Sequence, residues 1–371
     1  MKLIVLRNNL KSGLSAVERA VTENSALPIL KNVLIKTFNN RIKLVGTNLE
    51  LGISCLVSGK IIEEGEVNVP FGVLYGIINN IDSEKVSLES EKNNLHIKTD
   101  NYNAVIQGVS SEEFPIIPKI ENTEYNLELN GEVLKNSLLK VSSSVQISEI
   151  RPEISGVLFD FQITILKIAA TDSFRLSEVT LINNQYTTNL RKGFKVIIPL
   201  KTIQELIRII PDDKQVTIQI DPNQILFKNE DVEIISRLID GNYPDYEQII
   251  PKEFGLEVQI NKGHALNAIK LVSNFSGKGN DILLKIADGK KAVEIYSSNQ
   301  YLGENKYLIP AKIKGDNNGI VVFNWRYLLD GLKIMDSEEI IFGMNGESKP
   351  ATIKPANNQS YFYILMPIKN S

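Results

Sequence analysis

The 371-residue sequence predicts an α+β protein made of three repeats, each mostly antiparallel strand with two helices. A strand-to-helix signature occurs three times at near-constant spacing, and three further markers keep that spacing. Proline clusters close the first two repeats, at points where proline interrupts strands.

The signature opens as Leu3-x-Val5-x-Arg7-x-x-Leu10-x-x-x-Leu14-x-x-Val17, where period-2 alternation gives way to a helical period. It returns as Leu127-x-Leu129-x-Gly131-x-x-Leu134-x-x-x-Leu138-x-x-Val141, then as Val258-x-Ile260-x-Lys262-x-x-Ala265-x-x-x-Ile269-x-x-Val272, at offsets of 124 and 131. A middle marker follows in each repeat: Gly46-Thr47-Asn48, Ala170-Thr171-Asp172 and Ser297-Ser298-Asn299. Val69-Pro70-Phe71, Ile198-Pro199-Leu200 and Phe323-Asn324-Trp325 each open a second helix, and alternating strands follow from Val86, Val216 and Ile340. Six helices are thus expected over 7–21, 71–81, 131–146, 200–210, 262–275 and 325–335. Pro115 with Pro118, and Pro244 with Pro251, set domains at 1–121, 122–250 and 251–371. Hairpin turns are expected at Asp288-Gly289 and Asn345-Gly346.

One cysteine excludes intrachain disulfides and thiolate-rich metal sites. Cys55 continues the alternation of Leu49, Leu51, Ile53 and Val57 and is expected in the core. The apolar start at Leu3–Leu6 is cut off by Arg7-Asn8-Asn9, and no run reaches the ~18–20 residues of a membrane helix. A soluble, cytoplasmic protein is the expectation.

Net charge is −3, but it is unevenly spread. The expected helices carry eleven basic residues: Arg7, Lys11, Arg19, Lys135, Lys140, Lys201, Arg208, Lys262, Lys270, Arg326 and Lys333. They carry four acidic ones, Glu18, Glu132, Glu205 and Asp330. Lys and Arg are good helix formers, but Glu is equally good and is scarce here. A helix-lined face attracting a polyanion is therefore expected, with contact to phosphate and no base readout. His96 and His264 lack partners at ligand spacing, Gly277-Lys278-Gly279 lacks the frame of a phosphate-binding loop, and no paired carboxylates or nucleophile–base set is visible. No catalysis, metal or cofactor is expected.

These residues bring a family into view. Leu27-Pro28-Ile29-Leu30-x-Asn32, Gly156-Val157-Leu158-Phe159, Ala170-Thr171-Asp172-x-x-Arg175-Leu176, Asp240-Gly241-x-Tyr243-Pro244-Asp245-Tyr246 and Met366-Pro367 stand in the order and spacing of the bacterial DNA polymerase III beta subunits, the sliding clamps. The sequence resembles that family over its whole length. The resemblance implies a DNA clamp fold closed as a head-to-tail homodimer ring, helices lining the hole and sheets forming the wall. It implies a non-catalytic processivity factor that encircles duplex DNA and tethers the polymerase alpha subunit, the clamp loader and repair proteins through short linear motifs.

By position, the family's peptide pocket falls here on Ile154, Thr171, Ser173, Phe174, Arg175, Leu176, Pro244, Gln248, Ile249, Pro350, Ile364, Leu365, Met366, Pro367 and Ile368. The implied dimer contact falls around Ala104-Val105-Ile106 against Leu271 and Val272. Ser173-Phe174 replaces the family's frequent Gly-His, and Gln248 stands where some members carry Arg. Asn24 and Ser148 replace residues that touch DNA in relatives, and helix 71–81 has no basic residue. A β-rich adaptor that never encircles DNA would explain the repeats but not the charge partition. A hydrolase would lack its constellation.

Overall fold

The computed structural model describes residues 1–21, 27–120, 125–315 and 320–369. The expected boundary at 121, Asn24 and the last two residues lie outside them. Six α-helices form where the repeats place them: α1 Arg7–Val17, α2 Phe71–Asn80, α3 Gly131–Ser142, α4 Leu200–Ile209, α5 Lys262–Val272 and α6 Trp325–Lys333. The signature positions are the buried ones. Leu3 and Val5, Leu127 and Leu129, Val258 and Ile260 point inward from the opening strands. Leu10, Leu14 and Val17 of α1, Leu134, Leu138 and Val141 of α3, and Ala265, Ile269 and Val272 of α5 form the matching helix stripes.

One small residue recurs inside each stripe: Gly13, Ser137 and Ala268, all buried. A Cβ on Gly13 would stand 2.8 Å from Leu44 Cδ1, so α1 approaches its sheet closely there. Asparagine opens three helices in the same manner. Asn130 Oδ1 accepts from the Glu132 amide (2.8 Å), Asn261 from His264 (3.1 Å) and Asn324 from Arg326 (3.0 Å).

The strands form sheets of five, nine and twelve members, every pairing antiparallel. The chain divides into two compact units. The first comprises Met1–Val133, Tyr186–Leu190 and Gln204–Leu238, and holds the five- and nine-stranded sheets. The second comprises Leu134–Gln185, Arg191–Ile203 and Ile239–Ser371, and holds the twelve-stranded sheet.

The two units are cut through the middle repeat because neighbouring repeats share sheets. In the first unit, strand Leu51–Val57 of repeat one pairs with Val232–Arg237, the last strand of repeat two. In the second, Arg175–Ile182 of repeat two pairs with Tyr361–Leu365, the last strand of repeat three. The turn at Asp288-Gly289 joins Asp281–Ile286 to Ala292–Asn299, with Gly289 at φ 80°. Asn345-Gly346 opens a longer loop before Ala351–Pro355, with Gly346 at φ 101°.

Candidate functional site

The middle marker of repeat two builds a tight turn. Thr171 Oγ1 donates to the Arg175 carbonyl (2.7 Å) and accepts from the Ser173 amide (3.2 Å). Asp172 Oδ1 accepts from the amides of Phe174 and Arg175, both at 2.9 Å. The turn holds Ser173 at φ 77°, the left-handed region that glycine occupies without strain.

Arg175 closes the turn. Its Nε donates to Asp172 Oδ2 (2.9 Å), its Nη1 to Asp330 Oδ2 on α6 (2.6 Å), and the guanidinium lies 4.4 Å from the Tyr327 ring centroid. Arg151 Nη1 donates to Ser173 Oγ (3.0 Å), which ties the short turn ending at Ile154 to the same place. Strand Arg175–Ile182 pairs Arg175 with Leu365 and Leu176 with Ile364, and the Met366 amide donates to the Phe174 carbonyl (2.8 Å).

Sequence-assigned pocket residues thus meet here, but they divide by depth. Phe174 (56% exposed) and Ile249 (45%) offer apolar surface. Ser173 and Gln248 are also exposed, Gln248 donating to Asp245 Oδ2 at 2.7 Å. Pro244, Pro350, Met366 and Ile368 are half-buried. Ile154, Thr171, Leu176, Ile364, Leu365 and Pro367 are buried beneath them. Leu176 and Ile364 pack with Leu158, Ala169, Ile197 and Tyr246 in one cluster beneath the surface.

Sequence reasoning missed the polar side of that cluster. The buried Glu178 carboxylate accepts from Tyr246 Oη (2.6 Å), and burial beside Glu178 raises the Tyr246 pKa, keeping the phenol a donor. Lys167 pairs with Glu247 at 2.6 Å. It also missed Ile320, Val322, Glu347 and Ser348, which with Ile368 line a cavity of about 210 Å³. Val322 adjoins the Phe323-Asn324-Trp325 marker and Glu347 follows the Asn345-Gly346 turn, but those patterns announce a helix and a turn rather than a cavity.

Four expected DNA-facing groups are held by the protein itself. Arg7 donates to the carbonyls of Ile78 (3.0 Å) and Asn79 (2.7 Å) at the end of α2. Lys262 does the same to Met335 after α6 (2.8 Å). Arg208 pairs with Glu205 (2.7 Å) and donates to the Ser15 carbonyl (2.8 Å) in α1, while Lys140 pairs with Asp336. Cations at helix C-termini satisfy orphan carbonyls and the dipole. Lys135 is half-buried. Lys11, Arg19, Lys201, Lys270, Arg326 and Lys333 are exposed, Arg326 lying 5.2 Å from the Trp325 ring centroid. Ser148, the other substituted position, accepts from the Arg151 amide (3.1 Å) and organises its own loop.

The expected dimer residues divide by burial. Ile106 (4% exposed) and Val272 (0%) face the cores of their own units. Val105 (52%) on the strand, by alternation, and Leu271 (43%) on the outer face of α5 are the outward neighbours, with Ala104 half-buried.

Models of the DNA polymerase III beta subunit match the chain three times: the N-terminal domain over residues 1–118, the central domain over 128–245 and the C-terminal domain over 247–369. The chain belongs to the DNA polymerase III beta subunit family. It is similar to the beta sliding clamps of Staphylococcus epidermidis (28% identical) and Staphylococcus aureus (27%), each over 100% of this chain and 99% of the relative. The solved sliding clamp of Bacillus subtilis superposes with a TM-score of 0.93 at 26% identity, covering 100% of both chains. A beta subunit structure from Eubacterium rectale gives 0.91 at 27%, again covering 100% of both chains. Membership makes this a sliding clamp of DNA polymerase, a non-catalytic subunit with the three-repeat clamp fold. Among the described residues no helix is long and apolar enough to cross a membrane.

Proposed function

We propose that two copies close head to tail into a ring that encircles duplex DNA in the cytoplasm. One observation supports this most. The strand after the marker turn of repeat one pairs with the last strand of repeat two, and that of repeat two with the last strand of repeat three. The next strand in the series is the first part of Gly303–Gly315, and the one left over is Asn103–Ile106 of repeat one. Residues 303–310 pair on one side only, with Ala292–Asn299, and Asn103–Ile106 pairs only with Asn94–Lys98, among the described residues. Two complementary open edges per chain suit a heterologous, closing contact. Leu308 (53% exposed), Val105 and Leu271 supply apolar surface beside them.

The exposed basic groups Lys11, Arg19, Lys201, Lys270, Arg326 and Lys333 are the DNA-facing set of this reading. Diffuse phosphate contact permits sliding, which a tight base-reading site would stop. Reversing Lys11, Lys201 and Lys333 together should weaken DNA binding and flatten its salt dependence. The surface around Ser173, Phe174, Ile249 and Met366 is the pocket for linear motifs of the polymerase alpha subunit, the clamp loader and repair proteins. Three domains, breaking near 121 and 250, remain the proposed organisation.

The test is retention. The protein is loaded on nicked circular DNA by a clamp loader, and the circle is then cut. Retention on the circle and loss after linearisation is expected; the same behaviour on both substrates overturns encirclement.

A further inference from the structure

The buried cluster of the second repeat has a counterpart in the first. Leu158, Ala169 and Leu176 correspond to Leu34, Val45 and Gly52 at one constant offset, and Ile364 to Ile235 through the shared strand pairings. Phe114 and Ile117 pack on Leu34 and Val45 as Tyr243 and Tyr246 pack on their equivalents. Of the positions at which the two differ, Gly52 against Leu176 is the largest change in side-chain size. Where Leu176 stands in the second repeat, Gly52 carries no side chain and Ile235 and Ile117 close over it, and Gly52 is one of the residues lining a groove of about 610 Å³ on the nine-stranded sheet. A Cβ there would stand 3.0 Å from Ile235 Cγ2 and 3.2 Å from Ile117 Cδ1.

The groove is half-enclosed by the segment Phe114–Ile120, and Pro115 and Ile120 line it where Pro244 and Ile249 stand in the second repeat. Its volume falls within the ~300–1,000 Å³ of ordinary ligand sites. Its rim is basic. Lys43 is paired with Glu233 (2.7 Å), but Lys36, Lys119 and Lys228 form no salt bridge among the described residues.

We propose that this groove is a second peptide site, which takes a short acidic segment carrying a leucine- or phenylalanine-sized anchor. The apolar floor accepts the anchor, and the three lysines complement its carboxylates. The class of partner rests on the reading of the Phe174–Ile249 pocket as a peptide site. The groove itself stands on its own geometry.

The test is calorimetric titration of the full chain with an acetylated, amidated pentapeptide of sequence DDLFD. Two equivalents per chain are expected. Gly52→Leu should remove one, and deletion of residues 366–371 should remove the other. Lys36→Glu with Lys228→Glu, at half-buried positions outside the buried core, should weaken the groove site about tenfold and reduce its salt dependence. That variant decides the matter if Gly52→Leu fails to fold by circular dichroism. A single equivalent untouched by the groove variants overturns the proposal and leaves the first pocket standing. A single equivalent lost only in the groove variants overturns the first pocket and supports the groove.

Discussion

The turns at Thr47–Leu51 and Thr171–Arg175 are one backbone put to two uses. Thr47 Oγ1 donates to the Leu51 carbonyl (3.1 Å) and accepts from the Leu49 amide (3.1 Å), while Asn48 Oδ1 accepts from Glu50 (3.0 Å) and Leu51 (2.8 Å). Leu49 sits at φ 75° against 77° for Ser173. The Arg237 amide donates to the Glu50 carbonyl (2.9 Å) as Met366 donates to Phe174 (2.8 Å). The residue closing the turn is what differs. Leu51 is buried and apolar, whereas Arg175 carries a charge into the junction and finds Asp172 and Asp330. A Thr-Asx pair is enough to specify the turn; the next residue decides what the turn joins. Repeat three keeps less, with only Asn299 Oδ1 accepting from Tyr301 (2.9 Å).

Breaking the two turns at matched positions should give unequal results. Asp172→Ala removes one of the two carboxylates on a largely buried guanidinium, with Asp330 left as its partner, and should cost about 2–3 kcal/mol, whereas Asn48→Ala loses ordinary hydrogen bonds and should cost about 1 kcal/mol. Urea unfolding of both variants measures the gap, and equal losses would show that Arg175 adds nothing. Removing residues 366–371 takes away a chain end in repeat three whose counterpart, Arg237, is continuous chain. Burial of one anchor is worth roughly 1.5–3 kcal/mol, so peptide affinity should fall about tenfold to a hundredfold while light scattering still reports the dimer. Ser173→Gly and Leu49→Gly should each stabilise by up to about 1 kcal/mol by relieving the left-handed backbone, a small rise in melting temperature.

Cys55 offers the mildest contrast, since its repeat-two counterpart is the inert Val179. Burial pushes its pKa up to about 11, with Asp231 adding to the effect. Alkylation at pH 8 should therefore be slow and should accelerate as pH climbs toward 11. The raised value favours the neutral thiol in the folded chain, so stability falls as pH rises from about 9 toward 11.

The repeats were legible because each buried stripe is local: Leu10, Leu14 and Val17 announce α1 within eleven residues. The Thr-Asx turns were visible as echoes for the same reason. Long-range partners were not. Nothing near Arg175 points to Asp330, and nothing near Arg208 points to the carbonyl of Ser15, so charge type was readable and charge use was not. Which neighbours of the expected dimer residues face outward was hidden for a related cause. A resemblance locates a strand or helix, while one step of alternation decides which face a side chain takes. Gly52 was hidden because a missing side chain leaves no pattern.

Shared sheets also bear on how the molecule comes apart. The nine-stranded sheet takes strands from the first two repeats and the twelve-stranded sheet from the last two. Cooperative unfolding follows hydrogen-bonded sheets rather than ancestral segments. Cutting the gene at repeat borders would give fragments with severed ladders and bare strand edges, prone to aggregate. Three copies of one unit are therefore no longer three independent folding units: the middle copy has surrendered its autonomy to both neighbours.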